Sequence, residues 1–399
     1  MGEGKQTGKQ VKRRPKRAEE ASRTVQVDGN ALTLIPDGPE RFEALIALID
    51  GARASLRLLY YTYLTDRSGE AVRAALMRAL GRGVKVALLI DGFGSSATPD
   101  SYFADLSKAG AIFCRFNPSW GRRYLLRNHQ KLAMADDARV LIGGFNIADD
   151  YFGRSADGAW RDIGLMVDGP ATTRLAPYFD ALMSWTLTKG SRLRDLRRLI
   201  HTHSESKGVL QWQYGAPMRR LSPWAVSTSR DLMHANDVEM IAAYFSPTGG
   251  VLKRIARAGG WGRARVITAA KSDNTATIAA ARFTYNRLLK RGVEMFEYQP
   301  TKLHSKLLVM DDVVQIGSSN FDIRSLYLNL ELMLRVDDAE FAGLMRQYFE
   351  GEISDSLPIT PELHARRATL ANRVKWALSF FLVTSADYTV TRRLNFRAE

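Results

Sequence analysis

Two stretches of this chain, HQKLAMADDARVLIGGFNIADDYF (129–152) and HSKLLVMDDVVQIGSSNFDIRSLY (304–327), repeat one order of residue types. Each begins with His-x-Lys, reaches Asp-Asp seven residues later, and runs through an apolar segment to a Gly- or Ser-rich corner that carries Asn. Of the six histidines, only His129 and His304 are followed by Lys at two residues and Asp at seven. The repeat predicts a duplicated fold with one copy of the pattern in each half.

The spacing of the pattern suits a strand, because residues two apart project from the same face. Lys is rarely buried without a task, which argues against incidental polar residues in two core strands. Two imidazoles and two ammonium groups face to face can perform phosphodiester chemistry without a metal. The candidate catalytic residues are His129, Lys131, Asp136, His304, Lys306 and Asp311. We expect the two Asp to fix turns or pair with a cation, since Asp bonds its own backbone in tight turns.

The composition indicates a folded protein with an anionic partner. The 399 residues are 45% hydrophobic and suffice for two domains or one duplicated domain. A net charge of +15 favours nucleic acid or an anionic membrane surface. Cys114 is the single cysteine, which excludes an intrachain disulfide and a thiolate-based zinc cluster. We find no secretory leader and no long apolar run, and expect an intracellular protein that meets membranes from outside the bilayer.

Strand-like and helix-like segments alternate in both halves. Strands are expected at 56–63, 84–90 and 111–116 in the first half and at 240–245, 265–270 and 293–298 in the second, and helices at 68–81, 249–258 and 278–290. This alternation predicts an α/β fold of two similar halves, each a mixed sheet flanked by helices, related by a pseudo-twofold axis. The expected domains are a basic, disordered arm (1–26), a first half (27–190), a basic connector (191–222), a second half (223–350) and a tail with a basic amphipathic helix (351–399).

The motifs together resemble the phospholipase D superfamily, and within it the bacterial cardiolipin synthases. Beyond the two His-Lys pairs, the likeness rests on GGFNIA (143–148), WRD (160–162), VDGP (167–170), YFSP (244–247), SDN (272–274), YQP (298–300) and GSSNFDxRS (317–325) with Asn329 and Glu331. It spans about residues 34–336. It implies two phospholipase-D-like α/β/α sandwich halves and phosphatidyl transfer through a phosphohistidine, without metal or cofactor. The implied acceptor is phosphatidylglycerol, at the cytoplasmic face of a bacterial membrane.

The resemblance also implies residue roles. His129 attacks phosphorus, and His304 protonates the leaving alcohol and later takes a proton from the acceptor; the symmetry of the pattern leaves the reverse assignment open. Lys131 and Lys306 hold the phosphate oxygens. Further contributors are expected as follows: Asn146, Asn320 and Ser319 at the phosphate, and Asp162 and Glu331 as orienting partners of the imidazoles.

Two segments are candidates for lipid contact. The loop WGRRYLLR (120–127) mixes aromatic, aliphatic and cationic residues and suits an interfacial lip, although its Leu pair could also point inward. Basic and apolar residues at helical spacing near 366–382 suit either a membrane-surface helix or a packed terminal helix. The expected membrane contacts are Trp120, Leu125, Leu126 and Phe381.

Four functions remain open at this point. They are a phosphatidyltransferase, a hydrolytic phospholipase D, a nuclease and an inactive anionic-lipid tether. Intact residue pairs in both halves argue against the tether. The aromatic and aliphatic loop, together with the absence of base-stacking motifs, argues against nucleic acid as the partner. Water and a lipid hydroxyl compete for the same intermediate, and no residue decides between transferase and hydrolase.

Overall fold

The computed structural model describes residues 23–117, 126–218 and 221–386. The first half contains strands β1 (Thr24–Val27), β2 (Asn30–Ile35), β3 (Ser55–Tyr60), β4 (Lys85–Asp91), β5 (Ile112–Phe116), β6 (Leu132–Ala135), β7 (Arg139–Gly143) and β8 (Gly164–Asp168). Its helices are α1 (Gly38–Gly51), α2 (Arg67–Gly81), α3 (Ala104–Lys108), α4 (Asp149–Phe152), α5 (Leu175–Leu187) and α6 (Leu193–His203). Short 3-10 turns lie at Asp100–Phe103, Ser155–Asp157 and Pro170–Arg174.

The second half is built in the same way. Its strands are β9 (Leu210–Gly215), β10 (Asp237–Ala242), β11 (Phe245–Ser246), β12 (Arg263–Ala269), β13 (Glu294–Tyr298), β14 (Lys306–Met310), β15 (Val313–Gly317), β16 (Phe321–Asp322), β17 (Glu331–Asp337) and β18 (Ser356–Ile359). Its helices are α7 (Pro223–His234), α8 (Gly249–Trp261), α9 (Thr275–Leu289), α10 (Ile323–Tyr327), α11 (Ala339–Ser354), α12 (Pro361–Arg367) and α13 (Leu370–Phe381), which continues as a π-helical turn, Leu382–Ala386.

The two large sheets share one topology. Seven strands of the first follow the order β2-β8-β7-β6-β3-β4-β5, and seven of the second follow β9-β17-β15-β14-β10-β12-β13. In both sheets the last three strands are parallel and the others antiparallel. This equivalence, strand for strand, confirms the predicted α/β fold with two similar halves.

Helices and strands of the structure extend across two of the predicted domain boundaries. The segment 191–222, expected to be a connector, supplies α6 and also β9, which pairs with β17 as the edge strand of the second sheet. The boundary at residue 350 falls inside α11, and β18 of the expected tail pairs with β13. Of the arm expected at 1–26, residues 1–22 lie outside the described part of the chain, and β1 begins at Thr24.

The strands that carry the repeated motifs, β6 and β14, lie inside their sheets because nearly all their residues are apolar. Every residue of β6 (LAMA) and of β14 (KLLVM) is buried, as expected for strands covered by helices on both sides. One hydrophobic core includes residues of both halves, among them Met134 and Leu165 from the first and Trp212 and Leu332 from the second. The halves therefore share buried surface and hold the site between them in fixed geometry.

Among the described residues, every helix is too short or too polar to span a bilayer.

Candidate active site

The two His-bearing segments lie where the halves exchange backbone hydrogen bonds. The amide of His129 donates to the carbonyl of Leu330 at 2.9 Å, and the amide of His304 donates to the carbonyl of Arg161 at 2.7 Å. Isolated parallel bridges join Asn128 to Leu330 and Arg161 to Leu303. The segment before β14 thus pairs with the first half, and the segment before β6 pairs with the second. This reciprocity is what a pseudo-twofold axis through the site produces.

Each imidazole is hydrogen-bonded to a carboxylate from the opposite half. His129 Nδ1 lies 3.0 Å from Glu331 Oε2, and His304 Nδ1 lies 2.6 Å from Asp162 Oδ2. Both carboxylates are fully buried. The contact fixes the ring orientation and, with the carboxylate ionised, places the proton on Nδ1, so Nε2 is free to act on a substrate.

The two carboxylates are held by different neighbours. The hydroxyls of Ser318 and Ser325 donate to Glu331, the latter at 2.8 Å. Asp162 accepts the amide of Ile163 at 2.8 Å and lies against Gly144. A Cβ atom at position 144 would come within 2.8 Å of Asp162 Oδ1 and 3.0 Å of Lys306 Cδ. Any side chain larger than hydrogen at 144 would therefore push Asp162 and Lys306 out of place.

The two lysines of the motif are buried beside their histidines. Lys131 and Lys306 are 1% and 0% exposed, and each ammonium donates to the carbonyl of the His two residues before it. Burial lowers the pKa of Lys306 to about 8, although Asp162 raises it. The pKa of Lys131 is held well below its usual range by burial, with Lys306 adding to that effect and Glu331 opposing it. The groups of both halves therefore interact as one site.

Burial also lowers the pKa values of the two imidazoles. It lowers the pKa of His129 to about 4, against the opposing effect of Glu331. It lowers the pKa of His304 to about 3, with Lys306 lowering it further and Asp162 raising it. Both rings are therefore neutral at neutral pH while no anion is bound. A phosphodiester placed between them would raise both pKa values, because an adjacent negative charge favours the imidazolium.

Aromatic rings line the site beside the imidazoles. Tyr61 meets His129 edge-on, with 5.1 Å between ring centroids. Tyr151 and Trp160 approach His304 at 5.1 and 5.3 Å. The ammonium of Lys131 lies 5.2 Å from the centre of the Tyr61 ring. These rings keep the site apolar and strengthen the electrostatic contacts within it.

The structure separates the two motif aspartates from the chemistry. Asp136 and Asp311 follow the far ends of β6 and β14 in left-handed backbone conformations, with φ of 55° and 48°. Asp136 accepts the amides of residues 53, 54 and 55, and Asp311 accepts those of residues 236 and 237. Their inclusion among the catalytic candidates is corrected: each carboxylate ties the backbone at the start of a neighbouring strand, β3 or β10, to the turn that follows its own strand.

The predicted phosphate-binding residues lie at the site in different states. Asn146 Oδ1 accepts the amide of Thr62 at 3.0 Å, and the same side chain interacts with the hydroxyl of Tyr151, so both contacts orient it at the site. Asn320 Oδ1 is buried and accepts no hydrogen bond from a described residue. The Ser319 hydroxyl donates to the carbonyl of Asn320. Its neighbour Ser318 supports Glu331, a role that the sequence did not reveal.

Asp91 is a further site residue that the sequence analysis missed. It ends β4, is 1% exposed, and accepts the amides of Phe93 and Gly94 with Oδ1. Its Oδ2 accepts the amide of Asn128 at 2.8 Å, next to His129. Burial raises the pKa of Asp91 to about 6 against these hydrogen bonds. Its only sequence signal is an Asp followed by Gly at the end of an apolar strand, which is common at turns.

The expected lipid contacts divide in three ways. Leu126 is fully buried in the core, so its assignment to a membrane lip is corrected. Trp120 and Leu125 lie outside the described residues. Phe381, at the end of α13, is 56% exposed.

Comparison with known proteins adds a family to this geometry. The family model described as "Cardiolipin synthase, PLD-like domain" matches residues 45–183 and 230–353, one segment in each half. A cardiolipin synthase of Listeria innocua is 31% identical over 350 residues, covering 85% of this chain and 72% of that protein. Cardiolipin synthase A of Pseudomonas putida is 30% identical over 345 residues, covering 84% and 70%.

A solved structure shares the fold at low sequence identity. Phosphatidylserine synthase of Haemophilus influenzae superposes with a TM-score of 0.69 at 14% identity, covering 92% of this chain and 96% of that one. The match extends over both halves, so the arrangement of the halves, as well as each sheet, recurs in a known fold.

Proposed function

Since the chain belongs to the family of cardiolipin synthases with phospholipase D-like domains and is a phosphatidyltransferase of that superfamily, we propose that it makes cardiolipin or a related phospholipid. A phosphatidyl group passes through a phosphohistidine to a lipid hydroxyl such as that of phosphatidylglycerol. The observation that carries the proposal is the pair of imidazoles, each oriented by a buried carboxylate of the opposite half and each flanked by a buried Lys.

In the first step Nε2 of His129 attacks the phosphorus of a phosphatidyl donor. A P–N bond forms while the bond from phosphorus to the leaving alcohol breaks, and His304 gives its proton to that leaving oxygen. The proton on Nδ1 of His129 stays there, hydrogen-bonded to the ionised Glu331, whose negative charge stabilises the positive charge that develops on the ring. His304 acquires the proton it donates when the substrate anion raises its pKa.

In the second step the neutral His304 takes the proton from the hydroxyl of an acceptor lipid. The acceptor oxygen attacks phosphorus, the P–N bond breaks, and His129 returns to its neutral form. Lys131 and Lys306, with the NH2 group of Asn146, hold the non-bridging oxygens as charge grows on them. Because these groups are already fixed by buried contacts, they need little rearrangement during the reaction.

The experiment is to incubate the full chain with phosphatidylglycerol vesicles and identify the products by mass. Cardiolipin with glycerol is the expected outcome. Phosphatidic acid alone would show a hydrolytic phospholipase D instead of a transferase. If neither cardiolipin nor phosphatidic acid forms, the proposal is wrong. His129→Asn and His304→Asn should each lower the rate by at least about 10³-fold. Substantial activity in either variant would contradict the two-imidazole scheme. Protein denatured during turnover at mildly alkaline pH, where the P–N bond survives, should carry the phosphatidyl adduct on His129, and an adduct on His304 would reverse the roles.

We place this reaction at the inner face of a bacterial cell membrane. The support is the bacterial origin of the cardiolipin synthase relatives and the chain's net charge of +15, which favours an anionic lipid surface. Fractionation of the native source should then recover the chain with membranes, released by high salt. Recovery in the soluble fraction at low salt would contradict this placement.

A further inference from the structure

Helix α13 carries an apolar stripe that faces solvent. Leu370, Val374, Leu378 and Phe381 recur at spacings of four, four and three residues, so they lie on one face of the helix. They are 80, 60, 56 and 56% exposed, and Leu382 of the following turn is 50% exposed. A contiguous exposed apolar surface of this kind marks a site of interaction with a partner or a membrane.

The opposite face of α13 is what attaches it to the second half. Trp376 is 6% exposed and its ring stacks on His364 of α12, with centroids 5.3 Å apart. Phe380 stacks on Phe283 of α9 at 4.8 Å. The helix is thus held by one face, and packing within the chain does not need the stripe.

The charge around the stripe selects the kind of partner. Arg366, Arg373 and Lys375 are exposed near the stripe against the exposed Glu362, a balance of +3 − 1 = +2, whereas Arg367 pairs with Glu297 at 3.0 Å. A second copy of this chain would bring the same positive charge to the contact. An anionic lipid surface complements it, and basic residues beside an apolar helix face are the usual signature of a helix that lies in a membrane interface.

A cavity lies between α13 and the loop that follows β12 in the second sheet. It has a volume of about 470 Å³ and is lined on one side by Arg367, Asn372 and Lys375. On the other side it is lined by Ala270 and Thr275, which follow the carboxyl end of β12. Asp273, in the loop between those two residues, accepts a hydrogen bond from the hydroxyl of Tyr244 at 2.7 Å. Tyr244 lies two residues after Ala242 of β10, which pairs with Lys306 of β14. The cavity and this loop therefore connect α13 to the strands that carry the second half of the site.

We propose that α13 docks on an anionic phospholipid bilayer. Its apolar stripe lies among the acyl chains, its cations lie among the phosphate groups, and the active site faces the lipid. The inference deepens the proposed function and rests on it for the identity of the substrate, but docking itself requires no turnover. It assigns a membrane-binding role to particular side chains, Val374 and Leu378 foremost.

The test compares two double variants of the full chain in vesicle flotation. Val374→Asp/Leu378→Asp should lower partition onto vesicles of equal phosphatidylglycerol and phosphatidylcholine at least about tenfold, since two apolar contacts become charged. The matched control, Val226→Asp/Met233→Asp, changes two side chains of α7 that are 51 and 46% exposed, and should bind as the parent does. Binding of the parent should fall with added salt and be weak on phosphatidylcholine alone.

Further measurements distinguish a failure of the docking proposal from a failure of the proposed function. The α13 variant should keep the parent's rate on a soluble short-chain phosphatidylglycerol, which shows that its site is intact. His304→Asn should bind vesicles as the parent does, because docking requires no turnover. A parent that binds vesicles but forms no cardiolipin would contradict the proposed function and leave the docking proposal standing. Parent-like vesicle binding by the α13 variant overturns the docking proposal. A shift of that variant from dimer to monomer with vesicle binding unchanged also overturns it, and assigns the stripe to a second copy of the chain.

Discussion

At the scale of single residues, the feature that organises the site is the exchange of carboxylates between halves. The resemblance to a known superfamily was enough to predict Asp162 and Glu331 as partners of the imidazoles, and the structure places both within hydrogen-bond distance. Ser318 could not be predicted in its role, because its hydroxyl meets Glu331 only after β15 and β17 have paired. Side chains whose partners lie on another strand leave no local signal in a single sequence.

The depressed pKa values of the two imidazoles predict proton uptake on substrate binding. Both rings are neutral at pH 7 in the free protein, with pKa values of about 4 and 3, and a bound phosphodiester anion raises them. Titration calorimetry with a soluble phosphonate analogue of phosphatidylglycerol, in buffers of different ionisation enthalpy, should detect uptake of up to about one proton. His304→Asn should reduce the uptake. An enthalpy independent of the buffer would show that the imidazoles do not change charge.

At the scale of elements, the two motif strands, β6 and β14, could be predicted from the sequence, whereas the edge strand β9 could not. The apolar runs in β6 and β14 and the Asp-Asp turns after them follow from residue types alone. Strand β9 was assigned to a connector because the segment around it is basic and polar, yet every residue of the strand is buried and it pairs with β17. Tertiary burial overrode the polarity pattern there.

Asp91, at the end of β4, provides a prediction at this scale. Its folded-state pKa of about 6 lies above the ordinary 3.8, so the folded protein binds its proton more tightly and this group's contribution to stability falls as pH rises toward 6. Asp91→Asn should therefore be more stable relative to the parent at pH 7 than at pH 4.5, by about 2 kcal/mol in urea unfolding.

Although Asp91→Asn should gain stability at pH 7 relative to pH 4.5, it should lose catalytic activity. The amide of Asn128 would face an NH2 group in Asp91→Asn, which displaces the segment that carries His129, and we expect kcat to fall at least about tenfold. Asp100→Asn, whose exposed carboxylate pairs with Arg115, is the control and should change neither quantity. An unchanged kcat in Asp91→Asn would contradict the positioning role of this residue.

At the scale of the whole molecule, a shared core and a buried ion pair between Arg161 and Glu352 hold the two halves together. Arg161 of the first half donates to Glu352 of the second at 2.9 Å and also contacts Asp37. The side chains of Arg161 and Glu352 are 11 and 3% exposed. The duplicated topology was predictable from the repeat, whereas this contact joins residues 191 positions apart and depends on how the halves dock.

Arg161→Met should cost about 3–5 kcal/mol in the free energy of unfolding, because it leaves Glu352 buried without its partner. Arg161→Met/Glu352→Met should recover most of that loss, and thermal or urea unfolding measures both. Arg139→Met removes an exposed pair with Asp168 and should cost less than about 1 kcal/mol. If the double variant is as unstable as Arg161→Met, the loss of stability does not come from leaving Glu352 unpaired.

The exchanged carboxylates also bear on how such a molecule can arise. A lone half holds an imidazole and a carboxylate that cannot meet each other, but two copies of that half, docked about a twofold axis, would each complete the other's pair. A protein made of one such half would thus complete its site only as a homodimer, above its dissociation constant. With both halves in one chain the site no longer depends on concentration, and the two carboxylates can differ, an Asp on one side and a Glu on the other.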